Sequence, residues 1–213
     1  MERRTQTPLE EFANAVSHGL GFLFVAMAWP AGEAQASEAG AGVPRSLTVS
    51  VFAATLMVLY LASAVYHALP QGRLKLLANR LDHAAIFLFI AGSYTPFALG
   101  ALRGGLGWTM FALAWTLALV GMGLKLANRL RNRAWSTALY AAMGWLVLLA
   151  AGPMIDSVGE EGFRWLLAGG IAYSVGVVFF LLDERIRFGH FVWHLFVLTG
   201  SACHFVAVVR YAH

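Results

Sequence analysis

Apolar residues fall in seven stretches, 12–31, 47–69, 82–101, 107–125, 135–152, 163–182 and 190–211. Each is close to the roughly 20 residues a helix needs to cross the hydrocarbon core of a bilayer. Gly, Pro or charge marks the gaps: Gly40 to Pro44, Pro70 to Gly72, Gly104-Gly105, Arg129 to Arg133, Gly152-Pro153 and Asp183 to Arg187. The stretches are too long for strands of an outer-membrane barrel and lack its alternation of apolar and polar residues. Only 12% of the chain is charged, about half of what a soluble domain carries. The expectation is an all-α membrane protein, a single seven-helix transmembrane domain over residues 1–213.

Positive charge sets the expected orientation. With seven crossings, one side of the membrane receives Arg3, Arg4, Arg73, Lys75, Arg80, Lys125, Arg129, Arg131, Arg133, Arg185 and Arg187, and the other only Arg45, Arg103, Arg164 and Arg210. Lys and Arg accumulate in cytoplasmic loops, so the N-terminus is expected in the cytoplasm and the C-terminus outside. The isoelectric point near 9.6 therefore reports membrane orientation, and nucleic acid is not an expected partner. Arg3-Arg4, an apolar run through Trp29, and Ala34-Gln-Ala36 loosely imitate a cleaved secretory signal. Glu10, Glu11, Asn14, Ser17 and His18 interrupt that imitation, so the first segment is expected to stay as a helix. Cys203 is the single cysteine, which excludes an internal disulfide and a CxxC redox or metal motif.

Ionisable residues are costly in lipid and normally face the protein interior, where they mark function. In the expected topology His67 and Ser63 close segment 2, Asp82 and His83 open segment 3, and His190 and His194 open segment 7. Ser17 and His18 lie in the inner part of segment 1. All of these reach the same leaflet. His190 and His194, at i and i+4, project from one helix face, the spacing by which a helix presents two imidazoles to one zinc. His67 would supply a third nitrogen. Three protein ligands with one open position describe a catalytic zinc site rather than a closed structural one, and zinc brings its bound water to a pKa of about 7. Asp82 would contact that water as general base, and Ser63, one turn before His67, would orient the water or a substrate carbonyl.

Each residue also has a plainer role. The histidine pair could simply hydrogen-bond across helices. Asp82 could cap segment 3, and Ser63 could bond back to its own helix. His83, adjacent to Asp82, points about 100° away from it and is expected beside the site or at the interface. His18 is either a neighbour of the site or a packed polar residue. His204 lies about 15 Å along the helix from His194, too far to share a metal, and His213 is terminal.

Ser63-x3-His67, Leu81-Asp82-His83, Gly92-Ser-Tyr-Thr-Pro96 and His190-x3-His194 together resemble the hemolysin III family. That family is the bacterial branch of the progestin and adiponectin receptor group. The opening Glu11-Phe-Ala-Asn14-Ala-Val-Ser17-His18-Gly19 is similar to the start of its bacterial members. The resemblance covers nearly the whole chain. It implies seven transmembrane helices with the N-terminus inside. It also implies zinc on His67, His190 and His194 near the cytoplasmic face, with Asp82 reaching the metal through water. Related alkaline ceramidases share the Ser, Asp and three-His arrangement, which implies hydrolysis of lipid amides and a ceramide-like or other acyl lipid as partner. Bacterial members are linked to membrane lipid homeostasis. The chain lacks the long N-terminal domain of the animal receptors, so hormone recognition is not expected.

Three functions follow as expectations: a zinc-dependent hydrolase of lipid amides or esters, a non-enzymatic sensor of membrane state with structural zinc, and a cytolysin. The last has least support, because no amphipathic, releasable pore segment is present in the sequence.

Overall fold

The computed structural model describes residues 4–36 and 43–212. Arg3, most of the gap from Gly40 to Pro44 and His213 lie outside the described residues, as do the side chains of Gln35 and Ala36 in the would-be cleavage site. The chain is all-helical: α1 (Pro8–Ala36), α2 (Arg45–Ala68), α3 (Arg73–Pro96), α4 (Gly104–Leu126), α5 (Arg133–Gly144), α6 (Ala151–Leu182) and α7 (Gly189–Tyr211). A π-helical turn, Phe97–Leu102, prolongs α3 beyond Pro96, and a 3-10 segment, Trp145–Ala150, joins α5 to α6. Among the described residues six helical stretches are long and apolar enough to cross a membrane. The fifth of them, Arg133–Leu182, runs for 50 residues and holds the fifth and sixth expected segments.

Local sequence explains where the helices begin. Thr7-Pro8-Leu9-Glu10 is a capping box with proline at the first helical position. The Glu10 carboxylate accepts from the Thr7 backbone N–H at 2.9 Å, and the Glu10 N–H donates to Thr7 Oγ1 at 3.3 Å. Asn132 caps α5 by accepting from the Trp135 N–H at 3.1 Å.

Two boundaries differ from the sequence expectation. Helix α3 starts at Arg73, with Gly72 as its cap, nine residues before the expected start at 82. Arg73, Lys75 and Arg80 thin out the hydropathy there, but Leu, Lys, Ala and Arg are strong helix formers and the turns still form. Asp82 consequently sits more than two turns inside α3. It is not a cap, and it is not in the first turn. The other difference is at Gly152-Pro153, where α6 continues without a break. Pro153 falls in the first turn of α6, where no intrahelical N–H bond is lost. The interruption comes instead at Gly159, with φ 72° and ψ 168°, a conformation open essentially to glycine alone.

The helices close a ring. Helix α1 packs on α2 and α7, α2 on α3, α3 on α4 and α5, α5 on α6, and α6 on α7. The core is centred on α2, where Phe52, Leu56 and Tyr60 meet Val25 of α1, Phe89 of α3 and Val197 of α7. Large apolar side chains such as Met27, Val120 and Leu149 cover the outside, as a lipid-facing surface requires. Glycine permits the closest approaches: a Cβ on Gly92 would lie 1.9 Å from Thr55 Oγ1, and one on Gly121 would lie 2.4 Å from the Phe87 ring. Tyr94 completes the Gly92 to Pro96 motif. Its hydroxyl lies 2.9 Å from the Met143 carbonyl and accepts from the Val147 N–H at 2.8 Å, so it serves backbone groups freed where α5 tightens into 3-10 geometry.

A mostly apolar cavity of about 250 Å³ lies within the ring. Ser63, Asp82, His190, His194, His204 and Met154 are among the residues that line it.

Candidate metal centre

The end of α2 and the start of α7 bring three imidazoles together. One nitrogen from each of His67, His190 and His194 lies within 4.8 Å of the others. The three rings meet at tilted or edge-on angles, with centroids 4.7–5.1 Å apart. His190 is in the first turn of α7 and His194 in the second, as their spacing predicts. His67 is one residue from the end of α2.

The remaining ring nitrogens are held by oxygen. His67 Nδ1 lies 2.7 Å from a Glu11 carboxylate oxygen, and His190 Nδ1 lies 2.8 Å from an Asp183 carboxylate oxygen. His194 Nδ1 lies 3.2 Å from the Asn14 carbonyl oxygen and 3.0 Å from Ser17 Oγ, while Ser17 itself donates to Asn14 O at 2.8 Å. An Nδ1 facing a carboxylate or a carbonyl carries the proton, so Nε2 keeps its lone pair. Metal-binding histidines are held in this way, with a carboxylate or carbonyl fixing ring and tautomer. His67 Nε2 is buried and has no hydrogen-bond partner among the described residues, an expensive arrangement unless something takes its lone pair. Three neutral imidazole nitrogens form a donor set that suits zinc.

The supporting carboxylates are themselves anchored. Glu11 lies 3.0 Å from Lys75 Nζ, and that lysine also donates to the carbonyls of Tyr66 and Leu69. Asp183 receives a two-pronged bond from the Arg133 guanidinium, 2.8 Å on each oxygen. Burial pushes the Asp183 carboxyl upward, but bonds from His190 and Arg133 outweigh it and hold the group at about 2. Glu10 closes the frame. Its carboxylate pairs with Arg4 and accepts from the Phe188 N–H at 2.7 Å. The first turn of α1 is thereby tied to the residue preceding α7, which places Glu11, Asn14 and Ser17 beside the histidines they hold.

Asp82 and Ser63 both line the cavity. Asp82 does not belong to the group of mutually close metal-ligand atoms. His83 Nδ1 lies 2.8 Å from the Asn79 carbonyl, and the ring borders the cavity beside Asp82. His204 lies away from the cluster, with Nε2 3.2 Å from the Leu166 carbonyl. His18 stacks face to face on His194, centroids 3.6 Å apart. Glu10 and Asp183 acquire their roles only in the folded chain, since sequence reading treats one as an interruption and the other as a loop marker. The capping box was the available signal for Glu10.

Comparison with known proteins identifies the family. The family model described as "Haemolysin-III related" matches residues 6–205. The chain is 43% identical over 211 residues to the Hemolysin-3 of Bacillus cereus, covering 99% of this chain and 95% of that protein. It is 39% identical over 202 residues to the Hemolysin-3 homolog of Bacillus subtilis (strain 168), covering 95% and 94%. The human monocyte to macrophage differentiation factor is a more distant relative, 29% identical over 176 residues, covering 78% of this chain and 71% of that one. No solved structure matches. From residue 6 to residue 205 the chain fits one model, and it belongs to the haemolysin-III related family of multi-pass membrane proteins.

Proposed function

We propose that this protein is a zinc-dependent hydrolase of acyl lipids, acting on an amide of the ceramide type or on an ester, in the bacterial cytoplasmic membrane. The observation that carries the reading is the coincidence of two arrangements. Three imidazoles are held by oxygen at Nδ1, and two of them, His190 and His194, line the same mostly apolar cavity as the Asp82 carboxylate and the Ser63 hydroxyl.

His67, His190 and His194 would hold the metal. When bound, zinc supplies a Lewis acid that polarises a carbonyl and makes water nucleophilic near neutral pH. The cavity takes the acyl chain and excludes bulk water. Asp82 accepts a proton from the attacking water and returns it to the leaving amine or alkoxide as the carbonyl–heteroatom bond breaks, giving a fatty acid and a free amine or alcohol. Ser63 orients the water or the substrate carbonyl.

Seven crossings with the N-terminus inside accompany this reading. At about 1.5 Å per residue, the stretch Arg133–Leu182 would measure about 75 Å, more than twice the hydrocarbon thickness. The backbone break at Gly159 favours two crossings there. Excess positive charge favours a cytoplasmic N-terminus.

A second reading, zinc holding helices without catalysis in a sensor of membrane state, is favoured by the ties among α1, α2 and α7 around the three rings. Incubation of the purified protein with acyl amides and esters, with zinc counted in the same sample, separates the two. Release of fatty acid supports the hydrolase. One zinc per chain with no release across the panel supports the sensor.

A further inference from the structure

His18 is the one imidazole at this end of the cavity with neither nitrogen engaged among the described residues. It is only 3% exposed, it borders the cavity, and Nδ1 and Nε2 are both buried without a hydrogen-bond partner. A neutral imidazole has one donor and one acceptor to satisfy, and burying both unpaired is disfavoured. Packing alone does not explain the residue, because a phenyl ring would fill the space without polar atoms.

Its surroundings also argue against a fourth metal ligand. The His18 and His194 rings are nearly parallel, 6° between planes at 3.6 Å. In-plane lone pairs on stacked rings run side by side and do not converge on one ion. His18 also meets the Tyr60 ring, with centroids 5.0 Å apart and 47° between planes. The polar edge of the ring is left to make a bond. That edge lies beside His194, where the polar head of a bound molecule would come to rest.

We propose that His18 binds the cavity's occupant directly, hydrogen-bonding the hydroxyl or amide of a lipid head while the acyl chain fills the apolar remainder. The inference rests on the reading of the cavity as an acyl-lipid site, but it concerns binding and not cleavage. His18 is then a specificity residue: it favours chains ending in a neutral donor–acceptor group over plain hydrocarbon.

The test uses the full chain in lipid nanodiscs with two brominated probes, N-dodecanoylsphingosine and dodecane, read by quenching of tryptophan fluorescence, Trp193 being in the cavity wall. His18→Phe keeps a ring on His194 and discards both nitrogens. It should bind the sphingosine amide about ten- to a hundred-fold more weakly, the worth of one or two buried hydrogen bonds. Bromododecane binding and zinc content should match wild type. His18→Gln, which restores a donor and an acceptor, should recover most of the loss, and His18→Leu should behave like His18→Phe. Equal weakening for both probes, unchanged amide binding in His18→Phe and His18→Leu, loss of zinc in His18→Phe, or no saturable amide binding by the wild type would each overturn the proposal. Wild type that binds the amide and zinc yet cleaves nothing would remove the hydrolase reading and leave the role of His18 standing.

Discussion

Replacing the carboxylates behind the histidines should weaken metal binding by unequal and calculable amounts. Glu11→Gln and Asp183→Asn keep size and an acceptor oxygen but remove the charge facing Nδ1. Losing such a partner typically lowers metal affinity 10- to 100-fold, about 1.4–2.7 kcal/mol. Glu11 is 18% exposed at its side chain and shares its charge with Lys75, so its replacement should fall near the tenfold end. Asp183 is 7% exposed and orients His190 while gripping Arg133 through both oxygens. Its loss also leaves a guanidinium short of its counter-charge, so Asp183→Asn should approach the hundredfold end. The assay is zinc competition against a chromophoric chelator with purified protein, wild type and both variants side by side. If both variants hold zinc as tightly as wild type while His194→Ala does not, the carboxylates do not support a metal site, and the argument from Nδ1 partners fails.

Further outcomes follow from packing and topology. Gly92→Ala should lower the unfolding midpoint in detergent, at a cost of about 1–3 kcal/mol for overpacking, because its Cβ would strike Thr55 Oγ1; Thr55→Ala in the same chain should recover much of the loss, and strictly additive effects would contradict the contact. Gly159→Ala should destabilise by about 1–3 kcal/mol through its backbone conformation, whereas Gly123→Ala, with open space at its Cβ, should be neutral or better. In a Cys203→Ala background, a membrane-impermeant thiol reagent should label Ser157→Cys from outside the cell and leave Asn128→Cys untouched. Labelling of both from the same side would contradict two crossings in Arg133–Leu182.

The three-histidine grouping was legible because helical spacing is a local property: two imidazoles four residues apart must share a face, and loop charge put His67 at the same end. The partners of those histidines were hidden because they depend on how chain segments dock. Nothing local says that Glu10 will reach the N–H of Phe188, and without that tie Glu11 and Asn14 read as interruptions of an apolar run. The start of α3 was obscured for a different reason. Hydropathy follows lipid contact, and α3 runs through a charged turn that forms a helix without being apolar. That is why Asp82, expected at a helix end, lies well inside a helix. The α5–α6 region failed at its punctuation: proline marks a break only when it falls beyond the first turn, and the actual break uses the positive φ of a glycine that hydropathy does not register.

In the proposed chemistry the three histidines hold zinc and Asp82 moves the proton. Asp82→Asn, assayed for zinc content and for fatty-acid release in the same preparation, tests it most directly. The variant should hold one zinc per chain, as in the wild type, with release lowered at least about a hundredfold, the usual loss when a general base is removed. Undiminished release from a zinc-loaded Asp82→Asn protein would contradict it.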